Sequence, residues 1–282
     1  MSVRVAVVGP TATGKSELAL DLADALGTAG GTRGTEVLNA DASQLYRGMD
    51  VGTAKLPAQG RRGYPHHQID VLDVTQPASV AAYQRHARAD LEAIEARGNR
   101  ALIVGGSGLY VRAVTDALHF PGTDPAVRAA LDRRLRARGG AALWEELSRR
   151  DPRAAERIDA ADTRRVVRAL EVIEITGRPF SASLPRYEDL VPTVHLALRP
   201  RRDLLNRRIE ARARAMFLGP GTRPTKEGAP TILTETTALL ARGLRQGPTA
   251  SQAIGYAQAL AVLDGRRLWR SEERRVGKEC RS

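Results

Sequence analysis

"VAVVGPTATGKSELALDLA", residues 5–23, decides the fold. An apolar run, Val5–Val8, enters Gly9-Pro10-Thr11-Ala12-Thr13-Gly14-Lys15-Ser16, and a helical pattern follows at once. The spacing G-x-x-x-x-G-K-[ST] is that of a P-loop, with strand, turn and helix all in place. Gly9 and Gly14 let the backbone wrap a phosphate, which consecutive N–H groups and the dipole of the next helix then hold. Lys15 adds a point charge, and the Ser16 hydroxyl can ligate Mg²⁺. The motif predicts a bound phosphate without saying whether that phosphate is fuel, donor or leaving group.

Working outward, strand signals recur at Val3–Val8, Glu36–Asn39, Ala101–Val104 and Val194–Leu198, with helical stretches at Lys15–Leu26 and Val80–Arg97. Strands alternating with helices predict an α/β fold: a P-loop NTPase-like parallel sheet with its ligand crevice at the carboxyl ends of the strands. Strands stop from about Asp124 to Thr176. There Asp124-Pro125, Asp151-Pro152 and Asp162 each read as an N-cap opening a helix, and Gly177 and Pro179 close the last one. This is an inserted helical domain. The predicted division is 1–120 plus 193–269 for the core with its C-terminal helices, and 121–192 for the insertion. Helical patterns resume at Arg201–Phe217, Thr234–Arg242 and Ala250–Leu263, the first broken by the Gly/Pro-rich Leu218–Thr231.

At 282 residues the chain can bury a sizeable core, and no apolar run is long enough to span a membrane. The start runs straight into a strand with no signal-peptide pattern, and the single cysteine fits a reducing cytoplasm. A net charge of +12 with Arg in excess has two readings: a GC-rich coding bias, or a polyanionic partner such as nucleic acid. "RSEERRVGKECRS", residues 270–282, has no apolar period and reads as a non-native scar. It holds five basic and three acidic residues, so the rest keeps +10, but the only cysteine, Cys280, goes with it.

Further candidates lie where strands end. Asp41 falls just past the second strand, where a carboxylate could hold Mg²⁺ through water, accept a proton, or merely cap the next helix. The third strand runs into Gly105-Gly106-Ser107 in place of the acid an ATPase would often carry there, which argues against a nucleotide hydrolase. His66 and His67 diverge as neighbours and lack a third ligand at a usual spacing, so packing is the better account of them. On "DTRRVVRALEVIEITG", Arg164 and Arg168 share a face with Arg165 alongside, above a stripe of Val167, Leu170 and Ile173. That face is either solvated or a phosphate contact. Arg208 and Arg212, one turn apart, are either surface residues or an anion clamp. Gly255-Tyr256 is read inside a helix, where a glycine implies close approach by another element.

Taken in order, "GPTATGKS", "NADASQLYRGMDVGTAK", "PHHQIDVLD", "LIVGGSGLY", "DTRRVVRALEVIEITG" and "QAIGYAQAL" resemble the tRNA dimethylallyltransferases, also called tRNA isopentenyltransferases. The resemblance covers Val3 to about Gly265. It implies transfer of a dimethylallyl group from dimethylallyl diphosphate to N6 of adenosine 37 beside the tRNA anticodon, with loss of diphosphate. By carry-over, Thr11–Ser16 grip the diphosphate with Mg²⁺, Lys15 and Ser16 above all; Gly9, Pro10, Arg208 and Arg212 are expected to join them at the diphosphate. Asp41 becomes the base and Ser107 its supporting hydroxyl. The tRNA contacts fall on Asp41, Ala42, Ser43, Gln44, Ser107, Arg128, Arg164, Arg165, Arg168, Gln252, Gly255 and Tyr256.

The implied partners are tRNA and dimethylallyl diphosphate, for a cytoplasmic monomer without membrane contact. Two departures stand out. Leu218–Leu233 is longer than the short "GL-x-x-E" link of relatives, and their helix with a basic "R-Q-x-x-W" stretch after Gly265 is replaced by the terminal scar, so the natural chain is expected to be longer. Competing readings are an adenylate isopentenyltransferase, a small-molecule P-loop kinase, and an RNA-binding protein with a vestigial P-loop.

Overall fold

Five short strands carry the core of the computed structural model, which describes residues 3–27, 31, 33–118, 120–183, 188–219 and 230–266. They are β1 (Arg4–Val8), β2 (Thr35–Asn39), β3 (His66–His67), β4 (Arg100–Gly105) and β5 (Thr193–Ala197), in the order β3-β2-β4-β1-β5. Every pairing is parallel, so all carboxyl ends share one edge. The expected α/β class is therefore what forms. β3 is the strand that the sequence pattern did not signal.

Strand alternation sorts the core. Val7, Val37 and Val104 are buried together with Ala19 of α1 (Lys15–Leu26). Ala6, Leu38 and Ile103, all fully buried, fall to the opposite face. Helix α2 (Val80–Ala96) packs on β2 and β4 with Tyr83, Ala87, Leu91 and Ile94 buried, and α3 (Gly108–Thr115) follows β4.

The chain divides into two compact units, residues 1–115 with 191–282, and residues 116–190. The boundaries thus stand at 116 and 190 where 121 and 192 were expected. An antiparallel bridge, Asp116 to Asp189, ties the entering and leaving strands of the second unit to each other. That unit holds α4 (Pro125–Arg150), α5 (Pro152–Ala155) and α6 (Thr163–Thr176). Asp124, Asp151 and Asp162 cap them, each carboxylate accepting backbone N–H bonds from the first turn. Gly177, at φ 65°, closes α6 in the left-handed conformation that favours glycine. Leu131, Leu143, Leu147, Val167 and Leu170 make its core. Gly139, at φ 78°, kinks α4.

In the first unit the chain continues through α7 (Arg202–Leu218), α8 (Ile232–Leu240) and α9 (Tyr256–Leu263). One expectation is corrected here. Gly255 does not lie inside a helix: it is the N-cap of α9 at φ 91°, after a 3-10 turn at Ala250–Gln252. A Cβ on it would lie 2.9 Å from Ile232 Cδ1, so the close approach is real while the helix starts later. Residues 220–229 of the long Gly/Pro-rich link, and the terminal stretch with Cys280, lie outside the described residues. Among the described residues no helix is long and apolar enough to cross a membrane.

Gly105 ends β4 against the end of β2. A Cβ there would sit 2.3 Å from Ala40 O and 2.6 Å from Ala40 C, atoms of backbone that cannot swing aside. Gly105→Ala is expected to cost about 3 kcal/mol in chemical denaturation. Gly108→Ala meets nothing within 4 Å and is expected to stay within about 1 kcal/mol of the parent. Equal losses at the two positions would refute this account of the strand ends.

Candidate active site

The loop after β1 turns sharply because three of its residues have positive φ: Gly9 at 155°, Ala12 at 62° and Gly14 at 90°. A Cβ at Gly9 would come within 2.9 Å of Leu198 O, so the backbone passes where no side chain fits. Gly14 is the N-cap of α1 and has no side chain to cap it. The first-turn N–H groups of α1 therefore have neither an intrahelical partner nor a side-chain cap, which is the donor set an anion needs. Thr13 Oγ1 and Lys15 Nζ both donate to Pro10 O, at 2.9 and 2.7 Å, and draw the loop into a closed cradle. Pro10, Thr11 and Ala12 form its wall, and Ser16 is exposed in the first turn of α1.

Lys15 is held at a pKa of about 8. Burial lowers it most, the Asp41 carboxylate pulls it back up, and the Arg212 guanidinium pushes it down. Asp41, just past β2, is thus in electrostatic reach of the cradle. No helix follows it: its Oδ1 accepts the Ser43 N–H at 2.9 Å in a local turn, so its capping role is of a loop. The buried Asn39 braces it, with Oδ1 accepting Asp41 N–H at 3.2 Å and Nδ2 donating to Asp41 O at 3.2 Å and Gln68 O at 2.8 Å. Tyr83 donates its hydroxyl to Asn39 O at 2.8 Å.

The third strand end closes the crevice. A Cβ on Gly106 would lie 3.1 Å from Gly9 O and 3.4 Å from Lys15 Nζ, so this backbone rests against the cradle, with Ser107 next in the chain. Ser107 opens α3, its carbonyl accepting the Val111 N–H at 3.0 Å.

After Asp41 the chain runs through Ala42, Ser43 and Gln44, all half-buried. Gln44 Nε2 and Arg212 Nη2 both donate to Thr53 O, at 3.2 and 3.1 Å. Of the predicted arginine pair the structure brings in Arg212; Arg208 is exposed. Below the cradle a cavity opens between α1 and the ends of β2 and β4. Ala19, Val37, Leu56, Ile69 and Val104 give it apolar walls, and Ser16 lies at its edge. His66 also lines it. Its Nδ1 lies 2.8 Å from Tyr64 O, an acceptor to which it donates, and burial lowers its pKa. His67 instead meets the Glu36 carboxylate at 2.6 Å.

The remaining predicted residues divide by burial. Gln252 is exposed, but Gly255 is buried and Tyr256 fully so, its hydroxyl donating to Glu235 Oε1 at 2.5 Å. That ring has no surface to offer RNA. In the second unit Arg128 and Arg168 both bind the fully buried Glu171 carboxylate, at 2.5 and 2.7 Å, and Arg168 also donates to Pro121 O and Gly122 O. Arg164 and Arg165 are exposed, Arg165 near Asp162 at 3.5 Å. Sequence reasoning missed Glu235, which accepts the N–H groups of Asp50, Val51 and Gly52. An acidic residue in a helical pattern carries no sign of a contact made across 183 to 185 positions.

The family model described as IPP transferase matches residues 44–279. A tRNA dimethylallyltransferase of Mycobacterium avium (strain 104) is 54% identical over 261 residues, covering 92% of this chain and 80% of the relative. Among solved structures, the full-length tRNA isopentenylpyrophosphate transferase of Bacillus halodurans is 35% identical at a TM-score of 0.62, covering 100% of this chain and 84% of that one. A eukaryotic dimethylallyltransferase described as acting on tRNA has a TM-score of 0.76 at 23% identity, a likeness of fold; it covers 100% of this chain and 67% of that one.

Lys15 sets a pH limit on anion binding. With its pKa near 8, the ammonium is charged below that value and loses its charge as pH rises through it. A bound anion favours the charged form, so pyrophosphate affinity is expected to fall above about pH 8, with proton uptake on binding there. Calorimetry in buffers of different ionisation enthalpy measures both. In Lys15→Arg the decline near pH 8 is expected to disappear, and its persistence would remove Lys15 as the cause.

Proposed function

Since the chain belongs to the IPP transferase family, we propose that it is a tRNA dimethylallyltransferase, moving the dimethylallyl group of dimethylallyl diphosphate onto N6 of adenosine 37 beside the tRNA anticodon and releasing diphosphate. The observation that carries this reading is the meeting of Lys15, Asp41 and Gly106 at the ends of three neighbouring parallel strands. One end holds an anion, and a carboxylate stands within its field.

The chemistry follows from those groups. The allylic C–O bond breaks as the new C–N bond forms, and the electron pair leaves with the diphosphate. N–H groups of the cradle and the Lys15 ammonium stabilise that developing charge. Arg212, held on the Thr53 carbonyl within electrostatic reach of Lys15, adds to them. The exocyclic amine of adenine is a weak nucleophile, and Asp41 takes its proton as the bond to carbon forms. Ser107, adjoining the cradle through Gly106, supplies a hydroxyl to the amine. The dimethylallyl chain lies along the apolar walls below Ser16. A base stacked in an RNA helix cannot reach this crevice, so the adenosine enters unstacked from its loop.

Ser16 and the diphosphate oxygens fit a Mg²⁺ ion, which takes few protein ligands and keeps water and phosphate oxygens. No group of three or more His, Cys, Asp or Glu gathers among the described residues. When bound, such an ion neutralises charge on the leaving diphosphate. On the second unit, the exposed Arg164 and Arg165 suit phosphate contacts with the tRNA, with Arg128 and Arg168 shaping the surface around them.

Two measurements test this reading. Asp41→Ala is expected to lower kcat for prenyl transfer to unmodified tRNA by about 10²–10⁴ while pyrophosphate binding persists; unchanged turnover would overturn the assignment of the base. Arg164→Ala is expected to weaken tRNA binding and to make the slope of log affinity against log salt shallower by about 1. An unaltered slope would place that arginine away from phosphate.

A further inference from the structure

We infer that Glu235 is a positioning residue for the diphosphate end of the site, acting on Arg212 through the loop Asp50–Thr53. Glu235 lies in the first turn of α8. Its Oε2 accepts the N–H groups of Asp50 and Val51, at 2.9 and 2.7 Å, and its Oε1 accepts that of Gly52 at 3.1 Å. The Tyr256 hydroxyl adds a fourth bond, at 2.5 Å to Oε1. Three successive backbone N–H groups on one carboxylate fix the path of a segment that belongs to no helix or strand.

Packing seals the same segment. A Cβ on Gly52 would lie 2.6 Å from the Tyr256 ring, so loop and ring are in direct contact. The next residue, Thr53, is buried, and its carbonyl accepts from Arg212 at 3.1 Å and from Gln44 at 3.2 Å. Arg212 in turn acts on the Lys15 ammonium. Glu235 thus sets the loop, the loop sets the Thr53 carbonyl, and that carbonyl holds the guanidinium whose charge reaches Lys15. Helix α8 has its own anchorage in Ile232, Thr236 and Leu239, all buried, so removing the Glu235 charge leaves its packing in place.

This role rests on the proposal that Arg212 contacts the diphosphate, and a double-mutant cycle separates the two. Glu235→Gln, Arg212→Ala, the double variant and Tyr256→Phe are compared for KM toward dimethylallyl diphosphate, kcat on tRNA, and Tm. Arg212→Ala is expected to raise that KM about tenfold or more, and Glu235→Gln about threefold to tenfold with a smaller change in kcat. The double variant is expected to match Arg212→Ala alone, because the second loss acts through the first. Tyr256→Phe keeps the ring, removes one bond to Glu235, and is expected to raise KM about twofold.

An unchanged KM in Arg212→Ala would overturn the placement of Arg212 and this role with it. A raised KM there, with the parent value in both Glu235→Gln and Tyr256→Phe, would overturn the role of Glu235 alone. So would effects that multiply in the double variant, the pattern expected when the loss of Glu235 merely loosens the fold.

Discussion

The crevice depends on how closely three backbone ends approach one another. Gly105 stands where a single added carbon would meet the Ala40 carbonyl at 2.3 Å, and Gly9 where it would meet that of Leu198 at 2.9 Å. Gly106 lies against the Gly9 carbonyl and the Lys15 amine. Parallel strands place their carboxyl ends on one edge whatever their sequence. Bringing the loops that follow into mutual contact needs backbone without side chains. The glycines after β1 and β4 thus serve the spacing between elements more than the flexibility of either.

That spacing concentrates charge. An amine as buried as Lys15 would lose its proton well below its usual range were burial acting alone, and Arg212 pushes the same way. Asp41 opposes both, and the result is an ammonium still charged at neutral pH yet poorly neutralised. Such a site gains on taking up an anion, because the ligand supplies the charge that the protein withholds. Asn39 fixes the backbone that carries Asp41. Its amide is bonded to the backbone on both sides of the carboxylate's loop, at Asp41 and Gln68.

Much of this was legible in the sequence because it is local. The cradle, α1 and the three aspartate caps of the second unit depend on neighbours within a few positions, and all appear where spacing placed them. Two-residue β3 has no alternation to display, and its pairing with β2 exists only once the fold has formed. Gly255 looked helical because apolar residues continue through it at helical spacing, whereas Ile232 packing against it and a positive φ delay the start of α9. The Glu235 clamp could not be seen at all. Carboxylates on helices are usually solvated, and the donors here are backbone N–H groups, which every residue but proline carries.

The charge excess illustrates the same point for the second unit. Composition counts arginines, but geometry divides them into two kinds. Arg128 and Arg168 converge on Glu171, a carboxylate with no exposed surface, and one buried charge needs both to offset its desolvation. Arg134 similarly bridges Glu146 and Glu174 across α4 and α6. Charges spent this way join helices to one another and add little to the field outside. Arg164, on the same helix as Arg168, is instead turned to solvent. What a basic protein offers to a nucleic acid is therefore set by the cations its own acids leave unpaired, a smaller and more localised set than its net charge suggests.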